Sequence, residues 1–374
     1  MTYIGLRMKN KILLVSDFHA NVYGWRKELI EAFIREGADF ALAVPYGEQL
    51  DYFGNIGCKL YDVIMDRKST GVLSNYALLL QYKKILLEYK PDLVLLYGSK
   101  GMLYTGYLCK KMNIPYFSNI NGLGTVESTN LLTKKIILTL YKMVIPGATC
   151  VFFQNEYNMN KLIGMNIVNK NYRLIPGSGV NIDKYCFLEY PNSDRINFLF
   201  CARVMKEKGI IEFLEAAKIL KMNGYNVEFD VVGMYDDEFS VKLINENKNI
   251  INYYGFQKDV TPFIKKTNCV VLPSFYGEGI SNSLLESASS GRPIITTNMP
   301  GCRETVIDGE TGFLVEPKNY ISLYHAMKTF CEMSNDKRKK MGSKAREYIT
   351  KNFRREIVVD AYIDEYIKVF KRGV

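Results

Sequence analysis

Two carboxylates eight residues apart, Glu278 and Glu286, lie in the run P-S-F-Y-G-E-G-I-S-N-S-L-L-E-S-A-S-S-G at 273–291. A buried-type strand, Cys269 to Leu272, stops at Pro273. A loop then carries Glu278 between two glycines, and an apolar-periodic helix runs from near Ser281 through Glu286 to Gly291. Both carboxylates therefore belong to one strand-to-helix junction, the ligand-binding edge of open α/β sheets. The backbone N–H groups at Ser281 and Asn282 open the helix, and a helix start favours anions such as phosphate. A junction of the same form lies upstream: F-L-F-C-A-R-V-M-K-E-K-G at 198–209 ends a strand at Arg203 and holds Lys208 in the loop before a helix from Ile210. Cations suit the charge of a diphosphate leaving group, and carboxylates suit sugar and ribose hydroxyls. Alone, the glutamate pair reads as a loop carboxylate plus a solvated helix carboxylate; the cationic junction upstream is what makes a candidate site.

The elements that must position these groups alternate from the start. Lys11–Ser16, Phe40–Val44, Lys59–Ile64, Asp92–Tyr97, Pro115–Ile120, Cys150–Phe153 and Tyr172–Ile175 read as strands, with helices such as Trp25–Glu36 and Ser74–Tyr89 between them. The second half repeats the pattern with Asn197–Ala202, Val227–Val232, Ile250–Tyr254, Cys269–Leu272 and Pro293–Thr297. Such alternation implies parallel sheets covered by helices on both faces. The length of 374 residues suits about two domains, and 48 % hydrophobic with 24 % charged residues is ordinary globular composition. The segment P-G-S-G-V-N-I-D at 176–183 is the expected boundary.

Together the two junctions resemble the donor half of the retaining GT-B glycosyltransferases of the family 4 type. The matching segments are A-R-V-M-K-E-K-G, the Glu278/Glu286 pair, and P-G-C-R-E-T-V-I-D-G-E-T-G-F-L-V at 300–315. The resemblance implies an α/β architecture of two Rossmann-like, doubly wound parallel-sheet domains facing a central cleft. Residues 1–178 plus 354–374 would form the acceptor-side domain, and 179–353 the domain that binds a nucleotide-sugar donor. It assigns Arg203 and Lys208 to the diphosphate, Glu278 to the donor sugar and Glu286 to the ribose, with backbone amides of Gly279, Ile280, Ser281 and Asn282 assisting. Gly255 and Phe256, in I-N-Y-Y-G-F, would meet the base; a buried aromatic cluster is the alternative. The loop S-D-F-H-A-N-V-Y-G-W after the first strand would face the donor phosphates. Of the glycine pair common there only Gly24 is present. His19 would reach substrate or serve structure. In P-Y-F-S-N-I-N-G-L-G-T, Asn121 stands where many relatives place a histidine, with Gly122 and Gly124 leaving room for an acceptor or acting as an ordinary turn. Asn121 orients hydroxyls but is no base. The resemblance implies a UDP-sugar donor and metal-independent chemistry with no cofactor; the sequence lacks the D-x-D of metal-using relatives.

Charge adds a partner. Residues 1–178 hold 21 Lys and Arg against 13 Asp and Glu, whereas 179–374 hold 28 against 26, so the first half carries +8 of the net +10. Lysine pairs 83/84, 110/111 and 134/135 lie on or beside apolar helices, and Leu131–Ile145 has an apolar arc wider than one buried stripe. This suits an anionic membrane surface, at about 1 kcal/mol per cation. With the family resemblance it implies a polyprenyl-diphosphate-linked saccharide acceptor. Nucleic acid is disfavoured because aromatics do not interleave with the basic pairs. Eight cysteines without C-x-x-C spacing show no disulfide framework, and the amino-terminal run lacks a signal-peptide pattern. The expectation is a cytoplasmic chain, peripheral on the inner face of the cytoplasmic membrane. A UDP-sugar epimerase on the same fold, a non-catalytic membrane-surface protein, and a soluble-glycan or diacylglycerol acceptor are the open alternatives.

Overall fold

The computed structural model describes residues 10–66, 71–124, 130–168 and 171–370; the amino-terminal run considered above lies outside them. The chain forms two compact units. The first comprises Met1–Ser178 with the carboxy-terminal segment from Glu356, and the second Gly179–Arg355.

The first unit holds a parallel sheet of β1 (Lys11–Val15), β2 (Asp39–Val44), β3 (Lys59–Asp62), β4 (Leu93–Leu96), β5 (Tyr116–Ile120), β6 (Cys150–Phe153) and β7 (Tyr172–Leu174), in the order β3-β2-β1-β4-β5-β6-β7. Its central strands read as continuous apolar runs such as L-V-L-L because both faces are covered. Helices Val72–Tyr89, Ser99–Met112 and Leu131–Val144 pack one face, and helix His19–Arg35 the other. The last helix, Arg355–Phe370, returns to that second face. Tyr362 stacks on Phe152 with ring centroids 4.0 Å apart and hydrogen-bonds Asn119, while Arg173 pairs with Asp364 at 3.0 Å.

The second unit repeats the plan with β8 (Ile196–Cys201), β9 (Val227–Val232), β10 (Asn252–Tyr253), β11 (Cys269–Leu272), β12 (Ile294–Thr297) and β13 (Gly312–Val315), ordered β10-β9-β8-β11-β12-β13, all parallel. Strand β13 is absent from the sequence-based expectation. Its G-F-L-V is short, and its pairing rests on Gly312, where a Cβ would sit 1.9 Å from the Ile294 carbonyl oxygen.

Each strand order reverses once, between β1 and β4 and between β8 and β11. Outside the carboxyl ends of strands at such a switch point, the two flanking loops diverge and leave room for a ligand. Arg203 follows β8 and Glu278 follows β11.

Candidate functional site

In the second unit the two candidate junctions are pressed together by backbone. Gly209, at φ 79°, ends the short turn Lys206–Lys208 after β8, and a Cβ there would lie 2.2 Å from the Pro273 carbonyl oxygen at the end of β11. The Glu207 carbonyl accepts the backbone N–H groups of Phe275 (2.8 Å) and Tyr276 (3.1 Å). The two loops are thus joined by main chain, and their side chains meet. Lys208 Nζ lies 2.6 Å from Glu278 Oε1, with side chains 13 % and 12 % exposed, and Ser274 Oγ donates to the same oxygen at 2.9 Å. Sequence placed each residue on its loop but carried no sign of this ion pair or of Ser274. Arg203 differs: 47 % exposed, it gives Nη1 to Asp236 Oδ1 at 2.8 Å. Asp236 comes from the segment after β9, held against β8 because Gly233 lets it pass the Ala202 carbonyl, where a Cβ would stand 1.8 Å away. Asp236 was not anticipated either.

The loop carrying Glu278 is braced from its other side. Gly301, at φ 89°, sits so close that a Cβ would lie 2.6 Å from the Gly279 carbonyl oxygen and 2.9 Å from Glu278 Cβ; its own carbonyl accepts the Ser281 N–H at 2.9 Å, and its N–H donates to Glu304 Oε2 at 2.7 Å. This is the structural use of the P-G-C-R-E segment. The helix Asn282–Ser289 then begins at Ser281, whose side chain makes no capping bond. Its first-turn amides therefore receive no bond from the Ser281 side chain, and Asn282 Oδ1 is buried without a partner. Ile280 and Ser281 are buried beneath this turn. Glu286 lies one turn further on. Burial pushes its carboxyl up from 4.5 to about 7, with the Lys184 ammonium, the Tyr185 hydroxyl and Arg355 opposing the rise.

At the end of β10, Gly255 adopts φ 67° and its carbonyl accepts the Gly233 N–H at 2.9 Å. Phe256 beside it is 58 % exposed, so this aromatic is a solvent-facing surface and not part of a buried cluster.

The first unit corrects one expectation. Helix His19–Arg35 starts six residues before Trp25, so Gly24 lies inside a helix, exposed, with open space around its Cβ position, and not in a strand-end loop. The apolar spacing from Val22 onward carries the helix through the glycine, whose cost of about 1 kcal/mol is tolerated there. The group that does organise this strand end is Asp17, which accepts from the N–H groups of Lys100 (3.1 Å) and Gly101 (2.8 Å) at the start of helix Ser99–Met112. His19 opens its helix with the ring against Gly47, where a Cβ would come within 2.3 Å, and its Nδ1 is buried without a partner. Asn121, just past β5, accepts from Gln154 Nε2 at 3.0 Å; Gly122 beside it has φ 146°, and Gly124 is buried. Second-unit residues Arg203, Lys208, Glu278, Glu286 and the 279–282 amides thus converge on one switch point, while His19, Asn121, Gly122 and Gly124 lie at strand ends of the first unit.

Comparison with known proteins bears on both units. Residues 188–348 match the family described as Glycosyl transferases group 1, and residues 11–155 that described as Glycosyl transferase 4-like. The chain is 26 % identical over 332 residues to the N,N'-diacetylbacillosaminyl-diphospho-undecaprenol alpha-1,3-N-acetylgalactosaminyltransferase of Campylobacter jejuni, covering 83 % of this chain and 86 % of that protein. It is 25 % identical over 334 residues to the UDP-Gal:alpha-D-GlcNAc-diphosphoundecaprenol alpha-1,3-galactosyltransferase of Escherichia coli, covering 82 % of each. Among solved structures, Anabaena Alr3699/HepE in complex with UDP-glucose superposes with a TM-score of 0.77 at 16 % identity, covering 96 % of this chain and all of that one, a likeness of fold. With a 4-like amino-terminal region, a group 1 carboxy-terminal region and two switch-point sheets, the chain belongs to the GT-B glycosyltransferases of the family 4 type.

Proposed function

We propose that this glycosyltransferase moves a hexose or N-acetylhexosamine from a UDP-sugar to a polyprenyl-diphosphate-linked saccharide, with retention of anomeric configuration and without a metal ion, in the assembly of a surface polysaccharide or glycan. The observation that carries the donor half is the meeting of Lys208 and Glu278 across the β8/β11 switch point, with Arg203 on the same loop as Lys208. A diphosphate arriving there replaces Glu278 as the partner of Lys208 and takes the Arg203 donors that Asp236 leaves open. Two preorganised cations stabilise the charge that grows on the leaving phosphate as the glycosidic bond breaks. Glu278, released, accepts hydroxyls of the donor sugar. Glu286 accepts ribose hydroxyls, and the start of the helix at Asn282 adds its dipole. Gly255 and the exposed Phe256 suit a base edge and face. Asn121 orients hydroxyls on the acceptor side, where Gly122, Gly124 and His19 also lie. The carboxylates are not assigned as an acid/base pair. The names of the Campylobacter and Escherichia relatives support a diphosphate-linked lipid acceptor, the latter name and the Anabaena complex support UDP, and retention follows the family resemblance.

The test is thermal unfolding with UDP, GDP or ADP in EDTA. Ligand at ~100 times Kd stabilises by about 2.7 kcal/mol, several degrees for domains of this size. A shift selective for UDP is expected; no shift with any nucleotide overturns the donor assignment.

The acceptor implies a membrane surface. Among the described residues no helix is long and apolar enough to cross a bilayer. Helix Leu131–Val144 instead leaves Leu132, Ile136 and Met143 exposed alongside Lys135 and Lys142. Flotation with vesicles containing about 30 % anionic lipid is expected, abolished by high salt as surface charges are screened. Failure to float at low salt favours a soluble acceptor.

A further inference from the structure

The helix that carries Glu286 is tied at its end to a loop that faces the same carboxylate. Arg346, on helix Asn335–Asn352, directs Nη1 to the Ser289 carbonyl (2.6 Å), Ser289 Oγ (2.7 Å) and the Tyr185 carbonyl (2.7 Å), and Nη2 to the Ile182 carbonyl (3.2 Å). Ser289 Oγ donates in turn to the Tyr185 carbonyl at 2.8 Å. Ser289 is the last residue of helix Asn282–Ser289, so the guanidinium also supplies the cation and donors that a helix carboxyl end favours. Its helix comes this close because Gly342, one turn earlier, faces the Gly291 carbonyl, where a Cβ would lie 2.2 Å away. The loop is itself a tight turn: Asn181 Oδ1 accepts from the N–H groups of Asp183 (3.1 Å) and Lys184 (2.8 Å), and the Asn181 carbonyl accepts from Tyr185 N–H at 3.0 Å. Lys184 and the buried Tyr185, both on this loop, act on the Glu286 carboxyl, each favouring its ionised form.

We propose that Arg346 and Tyr185 are positioning residues for Glu286: Arg346 fixes the 181–185 loop, which carries Tyr185, to the end of the helix that carries the carboxylate, and so sets how that carboxylate meets ribose hydroxyls. The inference rests on the donor reading above. The groups facing Glu286 are Lys184 and Tyr185 from the loop, Arg355 from the start of the last helix, and Cys201 from the end of β8. Burial raises the carboxyl to about 7, and the first three oppose that rise. An ionised carboxylate accepts hydroxyl protons far better than a neutral one, so nucleotide affinity follows its titration. A loop that drifts from Glu286 lets burial act with less opposition, and the titration moves up.

The experiment is calorimetric titration of UDP into wild type, Tyr185→Phe, Arg346→Gln and Arg346→Lys from pH 5.5 to 8.5. Wild-type affinity is expected to fall as pH drops through about 7. In Tyr185→Phe and Arg346→Gln the inflection moves up by roughly half a unit to one unit, which weakens UDP about 2- to 5-fold at pH 7 and leaves affinity at pH 8.5 within about twofold. Arg346→Lys, retaining a cation, recovers part of the shift. A brace that serves stability alone lowers the Tm of Arg346→Gln and leaves the inflection unmoved, which overturns the proposal while the donor reading stands. Absence of UDP binding by wild type at every pH removes the donor reading first and this inference with it.

Discussion

Replacing Lys208 by methionine lowers kcat/KM by about two to three orders of magnitude and at the same time costs about 3 kcal/mol of stability. The activity loss follows from the geometry: Lys208 is less exposed than Arg203, and a preorganised donor aimed at developing charge is worth about 2.7–4 kcal/mol in a transition state. The stability loss has a separate origin. Glu278 is 12 % exposed and 2.6 Å from the ammonium, so truncating the lysine removes the countercharge of a largely buried carboxylate that also accepts from the Ser274 hydroxyl. Breaking one side of a buried pair costs about 3–5 kcal/mol, far more than the pair contributes over an apolar replacement. The double variant Lys208→Met/Glu278→Gln therefore recovers most of the stability and none of the turnover. Urea unfolding and initial rates on wild type, Lys208→Met, Glu278→Gln and the double variant measure both. If Lys208→Met keeps kcat/KM within about tenfold of wild type, the lysine does not stabilise the leaving group. Activity recovered together with stability in the double variant means the single variant was merely unfolding.

The contrast between Lys208 and Arg203 shows where sequence is informative. A-R-V-M-K-E-K-G places both cations on one strand-end loop, and the apolar runs of β8 and β11 place that loop at a carboxyl edge. What the linear text lacks is the partner of each. Lys208 meets Glu278, and Arg203 meets Asp236, only because β11 and β9 flank β8, an adjacency set by the reversal of strand order. Gly209, Gly233, Gly301 and Gly312 carry no side chain to signal a contact. Each is required by the approach of another segment's backbone, which no local pattern records. The early start of the first helix escaped for the opposite reason. Phe18 offers no polar cap and Gly24 interrupts the run, so local signals favoured a loop while burial of Val22 and Arg26 against the sheet favoured helix. Tertiary packing decided, as it does when intrinsic preferences differ by about 1 kcal/mol.

Glu286→Gln should move stability and binding in opposite directions. The carboxyl of Glu286 is raised from 4.5 to about 7, so the folded chain holds this proton more tightly than the unfolded chain. Below about pH 4.5 both states are protonated and the group is neutral to stability. As pH rises from 4.5 to 7 the unfolded chain ionises first, so the group withdraws stability across that window, and above pH 7 the full cost of holding a desolvated carboxylate remains, about 3 kcal/mol. Glutamine removes the cost. The variant is expected to unfold at higher urea than wild type at pH 8, and to match it near pH 4.5. Binding runs the other way, because an amide oxygen accepts ribose hydroxyls less strongly than a carboxylate, and UDP affinity at pH 8 is expected to fall about 10- to 100-fold. Denaturant titrations at the two pH values and UDP calorimetry at pH 8 separate the effects. A variant no more stable than wild type at pH 8 means the carboxylate is better solvated than its surroundings suggest. UDP affinity unchanged by the substitution removes Glu286 from the nucleotide. Both effects together mean that the helix after β11 holds an ion its fold would stabilise more without, the signature of a residue kept for a ligand and not for the core.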